Sequence, residues 1–147
     1  MSTTPQDRPD PVYLDYEDIL EIHGDVLNPG ERRGILHPQV IHSAVERPQR
    51  TVLGADAFPR IWDKAAAFMH ALIRWHPFTD GNHRTGQESV STFLRLNGCP
   101  IDFSQDVAEA EKFIRAVGRG EYDGDTEIAD IAAKLQTFAV PPAASSD

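Results

Sequence analysis

The 147-residue sequence predicts an all-α fold in a single domain, on three observations. Apolar residues recur at helical spacing in six separate segments. The apolar–polar alternation that marks a half-buried strand is nearly absent. Pro, Gly and short polar residues fall where helices must start and stop. A chain of this length buries a core without disulfide staples, and no internal repeat or second domain is discernible.

Asp15 is placed to cap a first helix whose Ile19, Ile22, Val26 and Leu27 keep one face until Pro29-Gly30 ends it. Pro38 opens a short second helix with Ile41, Ala44 and Val45 inside, and Pro48 closes it. From Gln49 to Gly54 the residues Arg50, Thr51, Val52 and Leu53 read as an extended segment, the one non-helical working part, with a plain connecting loop as the alternative. A third helix runs from Arg60 to Trp75, with Ile61, Ala65, Phe68, Leu72 and Trp75 at four-three-four-three spacing. Trp62 and Trp75 fit that core stripe or its edge. The fourth helix starts after Gly81, carries Val90, Phe93 and Leu94, and ends at Asn97-Gly98. Ser104 and Asp125 are positioned to cap a fifth and a sixth, with Val107, Ala110, Ile114 and Val117 on one and Ile128, Ile131, Ala132 and Leu135 on the other. Residues 1–10 and 139–147, rich in Pro, Ser, Thr and Ala, read as disordered tails around a domain at 11–138.

The chemistry concentrates in His76-Pro77-Phe78-Thr79-Asp80-Gly81-Asn82-His83-Arg84-Thr85-Gly86, between the third and fourth helices. A neutral imidazole titrates near physiological pH, so His76 is suited to take a proton from an incoming hydroxyl. Asp80 is a hard oxygen donor of the kind Mg²⁺ takes together with phosphate and water. At Gly81 and Asn82 the next helix begins, and its unpaired N–H groups and positive end suit an anion. Arg84 adds a planar fork of donors matched to phosphate oxygens. Phe78 is the large apolar residue of the loop and is expected to be its buried anchor. Taken singly, His76 would be a capping or solvated residue, Asp80 a helix N-cap and Arg84 a solvated helix position; together, in one register, they favour a phosphate site. A rival reading makes His76, Asp80 and His83 ligands of zinc or iron. The intervening Gly-Asn and the following Arg fit a phosphate better. His23, His37, His42 and His70 are assigned no chemical role, and His23 and His70 fall on helix faces, where packed or solvated histidines are usual.

The run from His76 to Arg84 resembles the signature of the Fic/Doc family: His-Pro-Phe, any residue, Asp or Glu, Gly or Ala, Asn, Gly or Lys, Arg. Eight of the nine positions are filled as the pattern asks. Val12-Tyr13-Leu14-Asp15, Glu46-Arg47-Pro48-Gln49, the Trp62 to Trp75 helix and Phe93-Leu94-Arg95-Leu96-Asn97-Gly98 resemble the short Doc branch, so the likeness covers residues 12–136. It implies a Fic/Doc-type helical bundle and a flap at Arg50, Thr51, Val52 and Leu53 that docks a target segment as an added strand. It implies ATP bound at Gly81, Asn82, His83 and Arg84, Mg²⁺ held by Asp80, and catalysis by His76 and Arg84. The reaction implied is transfer of a phosphoryl or nucleotidyl group to a protein hydroxyl. Doc-type members are growth-arresting toxins that phosphorylate a threonine of elongation factor Tu.

Two departures bear on the branch. Nucleotidyl-transferring Fic proteins usually carry a second Arg three residues after the first, where this chain has Gln87, so the resemblance favours transfer of the γ-phosphate over transfer of AMP. Doc-type members normally have Lys where this chain has His83, and a neutral imidazole is a poorer phosphate ligand. That substitution supports a reading from another class, an attenuated module that binds nucleotide or partner without turnover. Self-restrained Fic proteins carry a Ser or Thr, three residues, then Glu followed by Gly or Asn; no Glu here is followed by either. Restraint is therefore expected from an antitoxin of Phd-like type whose C-terminal segment orders on binding.

Composition agrees with a small enzyme. The formal net charge of -9 speaks against nucleic acid as a partner, because backbone binding needs a basic stripe. Cys99 is the single cysteine and has no internal disulfide partner. No apolar run approaches a membrane span, and the polar stretch from Met1 to Asp10 does not read as a signal peptide, so the cytoplasm is the expected compartment.

Overall fold

Six stretches of helical spacing become six helices in the computed structural model, which describes residues 10–124 and 126–141: α1 Tyr16–Val26, α2 Pro38–Glu46, α3 Ile61–Arg74, α4 Asn82–Leu96, α5 Val107–Gly118 and α6 Glu127–Gln136. Asp15 caps α1 as its type and position require. Its carboxylate accepts the Asp18 N–H at 2.8 Å, and the Asp18 carboxylate accepts the Asp15 N–H at 2.9 Å, a reciprocal capping box. Pro38 occupies the first turn of α2, where its missing N–H leaves no bond unmade.

Helix α3 is the centre of the molecule. It carries apolar residues around most of its circumference, with Ala65, Ala66, Phe68, Met69, Leu72 and Ile73 all buried, and α2, α4, α5 and α6 pack on it. Contact with α4 is closest at Gly86, where an added Cβ would lie 2.3 Å from Ile73 Cγ1. Ile73 is itself fully buried and cannot step aside. Gly86→Ala gains up to about 1 kcal/mol of helix propensity and meets an overpacking penalty of about 1–3 kcal/mol. The contact is short enough for the penalty to dominate, and a fall in the urea midpoint is expected. A midpoint that stays or rises would show the α3–α4 packing to be looser than described.

The expected extended segment is a hairpin. Strand β1 (Thr51–Val52) pairs antiparallel with β2 (Ala55–Asp56) through a turn in which Leu53 and Gly54 both have positive φ, 52° and 82°. The hairpin's base is tied down by Lys64, a buried ammonium on α3 that donates to the Pro48 carbonyl at 3.1 Å and reaches the Asp56 carboxylate at 3.3 Å. Its tip projects into solvent, Leu53 being fully exposed.

Several boundaries differ from expectation. Trp75 is not part of the α3 stripe; it follows the last helical residue and is half exposed, with the Arg74 guanidinium 4.6 Å from its ring centre. Ser104 does not cap α5. It belongs to a 3₁₀ turn, Phe103–Asp106, in which Asp102 accepts the Ser104 N–H, and Asp106 is the cap, accepting the Glu109 N–H at 3.1 Å. Asp125, the expected cap of α6, lies outside the described residues; Thr126 occupies the cap position and donates its hydroxyl to Asp130. At the other boundary the chain remains attached beyond residue 138, since Ala139 pairs with Ile101 and the Val140 N–H donates to the Pro100 carbonyl. Most of both expected tails lies outside the described residues. Among the described residues no helix is long and apolar enough to cross a membrane.

Candidate active site

The loop between α3 and α4 is fixed from below by Phe78. That side chain is buried, as expected of an anchor, and stacks on the imidazole of His23 from α1 with ring centres 3.7 Å apart. His23 Nε2 lies 2.8 Å from the Asp80 carbonyl, so the ring donates there and its tautomer is set. Asn82 closes the loop on itself: its Oδ1 accepts the Phe78 N–H at 2.9 Å and its Nδ2 donates to the Phe78 carbonyl at 2.8 Å. From above, the segment joining α1 to α2 is bonded along the loop. Leu36 and His37 N–H groups donate to the Pro77 carbonyl, and the Thr79 N–H donates to the Gly34 carbonyl.

On this scaffold His76 is exposed and takes a left-handed backbone, φ 44°. A non-glycine residue held there stores strain that the neighbouring structure must sustain, a condition concentrated at functional sites. Gly81 is the N-cap of α4 at φ 78°, a conformation that glycine adopts freely. No side chain caps α4, so the N–H groups of its first turn remain available to an anion. Asp80 is not the cap. Its Oδ2 instead accepts the Arg32 N–H at 2.8 Å.

Arg84 sits in the first turn of α4, its Nε donating to the Val26 carbonyl at 3.1 Å and its Nη2 to the Glu31 carboxylate. The Arg84 bond and the Asn28 N–H hold the Glu31 carboxyl below the usual carboxylate range. His83 turns its ring against α5, so closely that a Cβ on Gly118 would lie 2.8 Å from its Nε2. Burial first, then the neighbouring His76 and Arg115, push its pKa down, which favours the neutral ring. Two open clefts flank α4. One, of about 320 Å³, is lined by His83, Arg84, Gln87 and Arg115 among others; the second, of about 570 Å³, has Arg84, Gln87, Ser91 and Arg95 on its wall.

A family model described as "Fic/DOC family" matches residues 13–94, more than half of the chain. The chain belongs to the Fic/DOC family. It is 41% identical over 128 residues to "Toxin Doc" of Mycolicibacterium smegmatis, covering 85% of this chain and 97% of that protein. To "Protein kinase doc" of Escherichia phage P1 it is 26% identical over 98 residues, 66% of this chain and 77% of that one. Both place it in the Doc-like branch of the Fic/DOC family, and the six-helix architecture agrees.

Within this Fic/DOC fold, residues 80–84 of the signature share one junction, and the His76 ring lies 5.6 Å from that of His83. Asn82 gives one Nδ2 hydrogen and one Oδ1 lone pair to Phe78, which leaves its second Nδ2 hydrogen and its backbone for a ligand. Among the described residues the donor atoms of His76, Asp80 and His83, the rival zinc or iron ligands, do not gather within 4.8 Å of one another. The trio that does, His70, Asp123 and Glu127, lies elsewhere and is already satisfied. Arg47 reaches His70 Nδ1 and Glu127, while His70 Nε2 and Arg74 donate to Asp123, so both carboxylates have guanidinium partners. This network fixes the α5–α6 connection to α3, and His70, left unassigned by sequence, is a packed histidine within it. Sequence reasoning also missed Glu31, the Arg32 backbone and Arg115. None carries a local signal, because each reaches the signature only through the fold.

Proposed function

We propose that this chain is a Doc-like toxin that transfers the γ-phosphate of ATP to a Ser or Thr hydroxyl of a protein, elongation factor Tu being the first candidate, under control of a Phd-like antitoxin. The observation that carries the reading is Arg84 braced at the uncapped first turn of α4, directly after the short loop that carries His76 and Asp80. In this reading His76 takes the proton of the target hydroxyl, whose oxygen forms a bond to the γ-phosphorus as the bond to the bridging oxygen breaks and ADP leaves. Backbone N–H groups at Gly81 and Asn82, with Arg84, hold the phosphates and stabilise the spreading charge. Asp80 suits Mg²⁺, since the Arg32 N–H engages only its Oδ2; the ion would neutralise phosphate charge. The hairpin at Arg50, Thr51, Val52 and Leu53 would receive the target chain on its free edge.

Gln87 and the relative named "Protein kinase doc" support γ-phosphate over AMP transfer. The test is incubation with Mg²⁺, elongation factor Tu and ATP labelled at the γ- or the α-phosphate. Label reaching protein from the γ-position alone is the expected result; label from the α-position would assign AMP transfer instead. A non-catalytic binding module draws support from His83, whose ring packs against α5 and is pushed toward its neutral form, and saturable nucleotide binding with no labelled product would establish that reading.

A further inference from the structure

The connection between α1 and α2 is built onto the catalytic loop in a way that the signature does not describe. Asn28-Pro29-Gly30-Glu31 forms a tight turn, with the Glu31 N–H donating to the Asn28 carbonyl at 3.0 Å and Gly30 at φ 87°, the geometry a Pro-Gly pair favours. The turn delivers the Glu31 carboxylate to Arg84 and steadies it with the Asn28 N–H at 2.6 Å. One residue later the Arg32 N–H holds Asp80.

Which edge of the guanidinium is taken decides what the contact does. Nε and Nη2 share one edge of the plane, and that edge is occupied by the Val26 carbonyl and the Glu31 carboxylate. Both Nη1 hydrogens and the remaining Nη2 hydrogen have no partner among the described residues, so the outer fork stays open. The Asp80 carboxylate is treated alike: Oδ2 is held and Oδ1 is left.

We propose that Glu31 is a positioning residue that holds Arg84 by one edge so that its outer fork is presented to the phosphates of a nucleotide. The inference rests on the phosphate-transfer reading of the site. A carboxylate that competed with phosphate for Arg84 would act in the opposite direction, and the two are separable.

The test uses the full chain and a non-hydrolysable ATP analogue with Mg²⁺, measured by calorimetry. Glu31→Ala is expected to weaken binding on the order of tenfold, the scale for losing one partner of a charged hydrogen bond. Glu31→Gln, which keeps the shape, should weaken it less, and Glu31→Asp should recover part of the loss. In an Arg84→Ala background, Glu31→Ala should change nothing further, which a general structural role would not produce. Tighter binding or faster transfer by Glu31→Ala would make the contact a latch and overturn the proposal. So would unchanged affinity, or an equal effect with and without Arg84. A parent protein that binds no analogue would overturn the nucleotide reading together with this one, whereas binding unaffected by Glu31 overturns this one alone.

Discussion

Replacing His76 with alanine is expected to lower phosphoryl transfer by about 10²–10⁴-fold, the contribution of a positioned general base. The ring is exposed, and its recorded contact is a tilted approach to His83, so removing it takes little from the core. Alanine at φ 44° remains strained, as histidine is, so the stability change should be small beside the catalytic loss. The measurement is the initial rate of labelled phosphate incorporation, paired with a thermal melt by circular dichroism. Full activity in a folded His76→Ala protein would remove the base from the mechanism. Growth arrest on expression should disappear in parallel, because the toxin reading makes arrest depend on transfer.

Arg84→Ala is the second large effect, expected at about 10²–10³-fold in rate, as for removal of one preorganised donor to developing charge. Three features of its surroundings sharpen the expectation. The side chain starts in the first turn of α4, where N–H groups already favour an anion. One edge of its guanidinium is held by Val26 and Glu31, so the fork is aimed before ligand arrives. His83, the neighbour placed to supply a second cation, is pushed toward its neutral form. Arg84→Lys should rescue little, since an ammonium cannot bond two phosphate oxygens and the Glu31 edge at once in a plane. The readout is the rate at saturating ATP, and a lysine variant that retained half of it would show that only the charge mattered.

Much of the fold was legible because it is local. Capping at Asp15, Pro38 at the start of α2 and the apolar stripe of α3 each follow from residues a few positions apart. The signature loop was legible for the same reason, its parts lying within one short stretch, and Phe78 was identifiable as its buried anchor. What escaped is non-local or locally contradictory. Glu31 and Arg84 are 53 residues apart, and nothing in either neighbourhood announces the other. Leu53 at positive φ runs against its own preference, so the tight turn of the hairpin had no Asn-Gly to mark it. Trp75 was misplaced because the stripe's spacing continues one residue past the helix, where the left-handed His76 redirects the chain. Ser104 is drawn into a 3₁₀ turn by Asp102, which leaves Asp106 to cap α5.

The central position of α3 has a consequence for synthesis. Every residue of the signature has been made by position 86, yet α3 also packs against α6, whose Ile131, Ala132 and Leu135 are buried. A nascent chain, or a prematurely stopped one ending before α6, therefore carries all of its chemical groups on a platform with an uncovered apolar side and without the Glu127 clamp on Arg47. Such fragments should be substrates for proteases and chaperones, not poisons, so the cell meets the toxin only after the polypeptide has been completed through α6.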